Sequence, residues 1–390
     1  MSEERGEVPL VFFILTKDPT QLQGNTEKHY LARHLADRTD LSVFAPLSEE
    51  IPGARNRPLP VKGLKGAVWL NLFLLPYWLY VFATERPDIV FCYQNVIIPA
   101  VLGKLSGATV AFDLRSDPFE QAQEFFEDDD RGLPFRLAMQ TAKRLHEWVL
   151  KYADRVFVVS DPLKDTICLN YAISQDAVTV LPLGVDTDHF VPSDDGWECL
   201  SILYVGSLAE YRGIDTIIEA ALRLPKSLQC RTRIDLYGDG DEEYLSLLIT
   251  KADNTPLEVY WHGFVAHDQL PAEAARSDIA VSPIPPYQSY EVSSPAKIFE
   301  YQALGLPIVA SRITPHERIL GNGDSGLLYS PESTAEFAQA LERLLTDDEL
   351  REQMGEDARK ASMDADWDRQ FETVLFDLGV GHNPQTAASQ

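Results

Sequence analysis

Twice along this chain, short β-rich runs alternate with helical stretches, and that alternation narrows the fold more than any other feature. The first series occupies residues 8–15, 41–45, 89–93, 109–114, 155–160 and 178–181. The second begins at 201–205 and continues near 234–237, 259–262, 279–283, 308–311 and 327–329. Parallel strands need a crossover between neighbours and a helix supplies it, so each series predicts a mostly parallel sheet covered on both faces. Between them lies a polar, acidic stretch through Asp186, Asp188, Ser193, Asp194 and Asp195. A length of 390 residues suits two such domains. The expected division is 1–184, 185–365 and a final helix and tail at 366–390.

Composition excludes some partners. Acidic residues outnumber basic ones by 60 to 34, for a formal charge of −26, which argues against nucleic acid while leaving room for a compact phosphate pocket. Arginine exceeds lysine by 22 to 12. That pattern, with so many carboxylates, favours a halophilic protein in a high-salt cytoplasm over an ordinary acidic enzyme. Cys92, Cys168, Cys199 and Cys230 have no paired spacing, so a reducing interior is expected, without a disulfide framework or zinc site. The opening residues lack the basic flank of a secretion signal, and a cytoplasmic location is expected. The apolar stretch 67–83 is short for a membrane span and contains Asn71 and Pro76, so it reads as a buried or interfacial helix.

In open α/β sheets ligands sit in the loops after the strands. After strand 201–205, Gly206 and Ser207 make a turn, and Arg212 with Gly213 precedes a helix over 214–224. Close backbone approach, free helix N–H groups and an arginine suit a phosphate, although an ordinary turn with a surface arginine reads equally well. The loop from Ser293 to Pro307 is more specific. Ser294 suits a helix N-cap, Pro295 the first helical position, and Gly305 a left-handed helix end. Lys297 lies in the first turn, where the helix dipole disfavours a cation and a bound anion would favour it. Glu300 follows on the same face, placed for sugar hydroxyls. The acidic pairs Asp186/Asp188 and Asp239/Asp241 sit in turn contexts, and the eight histidines show no ligand spacing, so no metal is expected. Neither a Gly-x-Ser-x-Gly nor a Walker sequence supports a hydrolase or kinase.

The run from Ser294 to Ser311, S-P-A-K-I-F-E-Y-Q-A-L-G-L-P-I-V-A-S, resembles the donor-site signature of retaining glycosyltransferases of family 4. Gly184 to Phe190, Tyr204 to Ser207 leading to Arg212-Gly213, Gly238-Asp239-Gly240 and Trp261-His262-Gly263 agree in order and spacing. The resemblance implies the GT-B fold, two Rossmann-like doubly wound α/β domains facing a central cleft, with the last helix crossing back to the first domain. It also implies transfer from a nucleoside-diphosphate sugar with retention, without a cofactor or a metal held by paired aspartates.

By the same resemblance, Gly206, Ser207, Arg212, Gly238, Ser294, Lys297 and Glu300 form the donor site, with Arg212 and Lys297 at the diphosphate and Glu300 near the ribose. Glu300 matches the second Glu of an E-x7-E element whose first position is Val292 here, and Glu291 would substitute by a one-residue shift. Ser207 stands where many relatives have Arg. Gly24-Asn25 is a reduced acceptor-side loop or a plain turn. Asp113-Leu114-Arg115 resembles a D-x-R element, making Asp113 and Arg115 catalytic candidates beside Glu291, or Asp113 a strand-end cap. The acceptor expected is a glycan or lipid-linked glycan, with peripheral membrane association through 67–83 at the inner face of the cell membrane. Two other functions stay open: a degenerate sugar-nucleotide-binding subunit, and a sugar-nucleotide epimerase.

Overall fold

A computed structural model describes residues 8–20, 26–60, 69–117, 133–193 and 195–381. The chain divides into two units, one running to Pro182 and resuming at Trp367, the other Leu183–Asp366.

The first unit carries a seven-stranded sheet. Its strands are β1 (Leu10–Ile14), β2 (Asp40–Ala45), β3 (Arg55–Pro58), β4 (Ile89–Tyr93), β5 (Thr109–Leu114), β6 (Arg155–Val158) and β7 (Val178–Val180). Their order is β3-β2-β1-β4-β5-β6-β7, and every pairing is parallel. Helices cover both faces, which is why Val11, Phe12, Phe13 and Ile14 are all at most 1% exposed and the strand reads as one apolar run. The order reverses between β1 and β4, the switch point where such sheets leave a crevice at their strand ends. Strand β3 has the sequence R-N-R-P, with no β-branched residue to announce it; as an edge strand it pairs only with β2 and tolerates Pro58 at its end.

The apolar stretch 67–83 is not one helix. Where it is described, a π-helical turn at Trp69–Phe73 leads into an α-helix at Leu75–Glu85, with Pro76 in the first turn where its missing N–H costs nothing. Asn71 makes the break useful. Its Oδ1 accepts from the Ile97 and Ile98 N–H groups, each at 2.8 Å, at the start of the helix Ile98–Ser106. Among the described residues no helix is long and apolar enough to cross a membrane. The helix Trp367–Asp377 packs on Thr26–Arg38 in the first unit, with Trp367 stacked on Tyr30 and Arg38 paired to Glu372 at 2.5 Å.

The second unit has β8 (Leu200–Val205), β9 (Thr232–Tyr237), β10 (Glu258–Gly263), β11 (Ile279–Ser282), β12 (Ile308–Ser311) and β13 (Gly326–Tyr329), in the order β10-β9-β8-β11-β12-β13, again all parallel. Its switch point lies between β8 and β11. One face packs Ile202, Tyr204 and Leu236 against the helices Ile214–Leu222 and Thr334–Thr346; the other packs Leu203, Ala280 and Ile308 against Ala296–Ala303. The acidic stretch after Gly184 is a turn, as its composition implies: Asp186 Oδ1 accepts from the N–H groups of Asp188 and His189.

Candidate active site

In the second unit, three strand ends are stitched into one surface. The Gly206 N–H donates to Tyr237 O at 2.9 Å, Leu208 N–H to Asp239 O at 2.8 Å, and Gly238 N–H to Gly263 O at 2.8 Å. Gly206 and Gly238 have φ of 136° and 141°, and a Cβ on Gly238 would lie 1.9 Å from Gly206 O. Only glycine permits that approach.

Lys297 reaches this surface from the helix Ala296–Ala303. A Cβ on Gly206 would stand 3.1 Å from its Nζ, and the ammonium lies 4.1 Å from the Tyr204 ring centroid. Tyr204 is fixed in turn, its hydroxyl donating to Ser207 O at 3.0 Å. Arg212 comes from the short turn Glu210–Arg212, and its guanidinium lies 5.1 Å from the Tyr290 ring and 5.5 Å from the Tyr211 ring. Its Nε is buried without a partner among the described residues. No carboxylate pairs with either cation among the described residues; they contact aromatic faces and each other's field. Burial and the neighbouring Arg212 charge push the Lys297 ammonium down to about 7, with Glu300 pulling the other way. Two cations near a switch point, with no ion-pairing carboxylate among the described residues and a glycine turn beside Lys297, make an arrangement that suits an anion.

Glu300 lies one turn along the same helix and accepts from or shares a proton with His267 Nε2 at 3.3 Å. Ser294 departs from expectation. The helix begins at Ala296 with Pro295 in the cap position, and Ser294 Oγ accepts from Leu183 N–H at 3.0 Å instead. Pro295 cannot donate a backbone N–H, so the loop spends its serine on tying down the Leu183 backbone. Gly305, at φ 70°, does end the helix in the left-handed conformation, with Leu306 N–H donating to Tyr301 O at 3.0 Å. Ser207 is exposed at the turn. The Glu291 carboxylate accepts from Thr314 N–H at 2.9 Å, at the first turn of the helix Thr314–Leu320, so its contact here is a helix-end bond. Asp241 similarly caps Glu242–Thr250, accepting from Tyr244 N–H at 2.8 Å, and no group of three or more metal-ligating side chains occurs among the described residues. Tyr290 and His267 were not assigned to the site from the sequence, and Tyr204 entered only as the first residue of the run to Ser207. Tyr204 sits two residues before the Gly206 turn, a position whose meaning depends on what packs over it.

In the first unit, Asp113 ends β5 and Arg115 returns to it, with Nε at 3.0 Å and Nη2 at 2.6 Å from the same Oδ2. Asp113 is therefore paired with its neighbour and caps no turn. At the start of the helix Thr26–Arg38, Lys28 donates to Glu27 Oε1 at 2.6 Å and lies 4.1 Å from the Tyr93 ring. Glu27, Lys28 and Asp113 are all buried, the first two at the start of the helix that follows β1 and the third near the end of β5, which neighbours β4. Burial pushes the Asp113 carboxyl up, against the pull of Arg115. Buried ion pairs return little stability for their desolvation, so this cluster points to a role other than holding the fold. Gly24 and Asn25, named from the sequence as acceptor-side residues, lie outside the described residues, as do Asp194 and residues 67 and 68 of the apolar stretch.

Comparison with known proteins agrees with this geometry. The family described as Glycosyl transferases group 1 matches residues 199–361, and Glycosyltransferase Family 4 matches 29–189. Alpha-D-kanosaminyltransferase of Streptomyces kanamyceticus is 32% identical over 158 residues, covering 40% of this chain and 39% of that protein. The chain spans between 39% and 56% of the length of the first three curated relatives it matches. Among solved structures, sucrose-phosphate synthase from Thermosynechococcus elongatus aligns with a TM-score of 0.71 at 19% identity, over 98% of this chain and 100% of that one. Anabaena HepE in complex with UDP and glucose aligns with a TM-score of 0.67 at 17% identity, over 95% and 99%. At these identities the structural likeness establishes the GT-B fold alone. With glycosyltransferase families matched over 29–189 and 199–361 and two parallel α/β sheets as the strand–helix alternation implies, the chain belongs to the glycosyltransferases of family 4 and group 1 type.

Proposed function

We propose that this glycosyltransferase moves a sugar from a nucleoside-diphosphate sugar to an acceptor hydroxyl with retention at the anomeric carbon. The observation that carries the reading is Lys297 beside the Gly206 turn and within the field of Arg212, with no carboxylate ion pair to either cation among the described residues. A diphosphate leaving group develops negative charge as the glycosidic bond breaks, and preorganised cations stabilise it without a strong base. In this assignment Gly206, Ser207 and Gly238 let the phosphates approach the backbone, Ser294 holds the preceding loop, and Glu300, oriented by His267, accepts from sugar or ribose hydroxyls. Two protein cations meet the diphosphate charge, so transfer needs no divalent metal and no cofactor.

The buried Asp113–Arg115 pair is assigned to the first unit's share of the reaction, positioning acceptor or donor sugar; Glu291 acts through its bond to Thr314. The acceptor is read as a glycan or lipid-linked glycan, used in a saline cytoplasm at the inner face of the membrane. HepE, a relative in fold, was solved with UDP-glucose, which makes that donor the first to try.

Radiolabelled transfer from a panel of sugar nucleotides tests the reading. Arg212→Ala and Lys297→Ala should each lower turnover by about ten- to a hundredfold, the worth of a charge-assisted hydrogen bond; unchanged turnover in either removes the diphosphate assignment. Val292, standing where the family's first glutamate belongs, favours a second reading, a subunit that binds sugar nucleotide without transferring it. Donor-dependent thermal stabilisation with neither transfer nor hydrolysis across the panel would establish that reading instead.

A further inference from the structure

Three polar side chains are sealed from solvent at the ends of two apolar strands. Ser282 ends β11, Ser311 ends β12, and His316 reaches both from the first turn of the helix Thr314–Leu320; all three are at most 1% exposed. His316 Nδ1 lies 2.8 Å from Ser311 O, and Nε2 lies 3.1 Å from Ser282 Oγ. A carbonyl can only accept, so Nδ1 carries the proton and Nε2 accepts the Ser282 hydroxyl. The Ser311 hydroxyl is committed to Ile284 O, at 2.6 Å. One neutral tautomer satisfies every bond, and burial keeps the ring neutral: it pushes the imidazolium down to about 4, helped by the Lys297 charge and opposed by the Ser311 carbonyl and Glu291.

A buried polar network whose members are all satisfied fixes one geometry where apolar contacts would tolerate several. What this one fixes is the segment 283–291, and it is held near both ends. Ser311 holds Ile284 O, and the Thr314 N–H, two positions before His316, holds the Glu291 carboxylate at 2.9 Å. That segment meets the Arg212 turn twice. Near its start, Pro283 O comes so close to Gly213 that a Cβ there would stand 2.4 Å away, and Gly213 takes a φ of 72°. Near its end, the Tyr290 ring lies 5.1 Å from the Arg212 guanidinium. With no carboxylate ion pair to Arg212 among the described residues, the turn and the ring carry more of its seating. We infer that His316 is a positioning residue for Arg212: by joining the ends of β11 and β12 it sets the segment on which Gly213 rests and against which the guanidinium lies. For its purpose this rests on the diphosphate reading of Arg212, but the seating belongs to the free protein and is measured without a ligand.

His316→Leu roughly keeps the volume and removes both bonds of the ring. Hydrogen exchange of the free full-length chain, read by mass spectrometry, should then rise about threefold or more in peptides covering 209–217 and 283–291; unchanged exchange there in the folded variant overturns the inference. Titration calorimetry with inorganic pyrophosphate, which needs no knowledge of the sugar, gives a readout that stability alone would not move. Kd should weaken about tenfold in His316→Leu and at least as much in Arg212→Ala, and the double variant should be no weaker than Arg212→Ala alone, because the histidine acts through that arginine. Losses that multiply in the double variant, or undiminished affinity in the folded His316→Leu, overturn the inference. If the leucine variant does not fold, His316→Asn replaces it: its amide N–H can keep the Ser311 bond while the Ser282 bond is lost, with about a threefold weakening expected and the same test in the double variant. Faster exchange in both segments, in a chain whose parent does not bind pyrophosphate, leaves the positioning role standing and removes the diphosphate reading. Pyrophosphate binding lost in Arg212→Ala yet kept in His316→Leu does the reverse.

Discussion

If Lys297 meets the diphosphate, donor affinity must depend on pH in a range where that diphosphate itself does not titrate. In the free protein the ammonium is pushed down to about 7 from its ordinary 10.5. A bound diphosphate beside Nζ favours the charged form and returns the group above pH 9. Binding then takes up a proton, and the apparent dissociation constant weakens as the free lysine becomes neutral. Between pH 7 and pH 9 the charged fraction falls from about one half to about one in a hundred, so affinity should drop about 50-fold, or about 2.3 kcal/mol. Titration calorimetry with a sugar nucleotide, in buffers of different ionisation enthalpy, reads both the constant and the proton, with uptake approaching one near pH 8.5. The sign for the unliganded fold is opposite. The unfolded chain holds more protons between pH 7 and 10.5, so Lys297 makes the free protein gain stability as pH rises through that window, by about 1.4 kcal/mol per unit at most. Lys297→Met should lose both slopes, which separates this group from the general titration of an acidic chain. An affinity that is flat from pH 7 to 9, with no proton uptake, would refute the placement of Lys297 at the phosphate.

Further outcomes can be measured on single variants or conditions. Gly238→Ala drives a Cβ into Gly206 O and should cost about 2–4 kcal/mol in urea unfolding, with the donor-induced thermal shift lost in parallel. Arg115→Ala leaves the Asp113 carboxylate buried beside Glu27 and should destabilise by about 3–5 kcal/mol, whereas Asp113→Asn should cost less and report on turnover; unchanged turnover in the asparagine variant would remove Asp113 from the reaction. Turnover should survive excess EDTA, and its abolition and recovery with magnesium would contradict a diphosphate site served by Arg212 and Lys297 alone. Circular dichroism across a salt series should show folding completed only near molar salt, where charge is screened beyond about 3 Å; a native spectrum without added salt would remove the halophilic reading.

Much of this was legible in the sequence because it is local. Strand periods, the restart after the acidic stretch, the turn at Asp186 and the left-handed helix end at Gly305 depend on residues a few positions apart, whose conformational preferences act wherever the chain goes. The run around Lys297 and Glu300 could be recognised for the same reason. What the local pattern misled on is also local chemistry redirected by distant partners. Ser294 is a good N-cap by type, but Leu183 N–H, 111 positions away, takes its hydroxyl. Glu291, read from the sequence as a stand-in for the missing first glutamate, has a partner the sequence did not announce, the Thr314 N–H at 2.9 Å.

The sequence by itself determined two parallel α/β sheets, their glycine turns, and the residue types from which an anion site can be made. Only the tertiary structure decided that Arg212 and Lys297 lie in each other's field with no ion-pairing carboxylate among the described residues, that Tyr204 and Tyr290 supply the faces against which they rest, that R-N-R-P becomes an edge strand, and that one side of Leu75–Glu85 is left uncovered. The physical reason is that backbone preference and hydrophobic period are short-range, whereas burial, pairing and the field at a charged group are set by whatever the folded chain brings within a few ångströms.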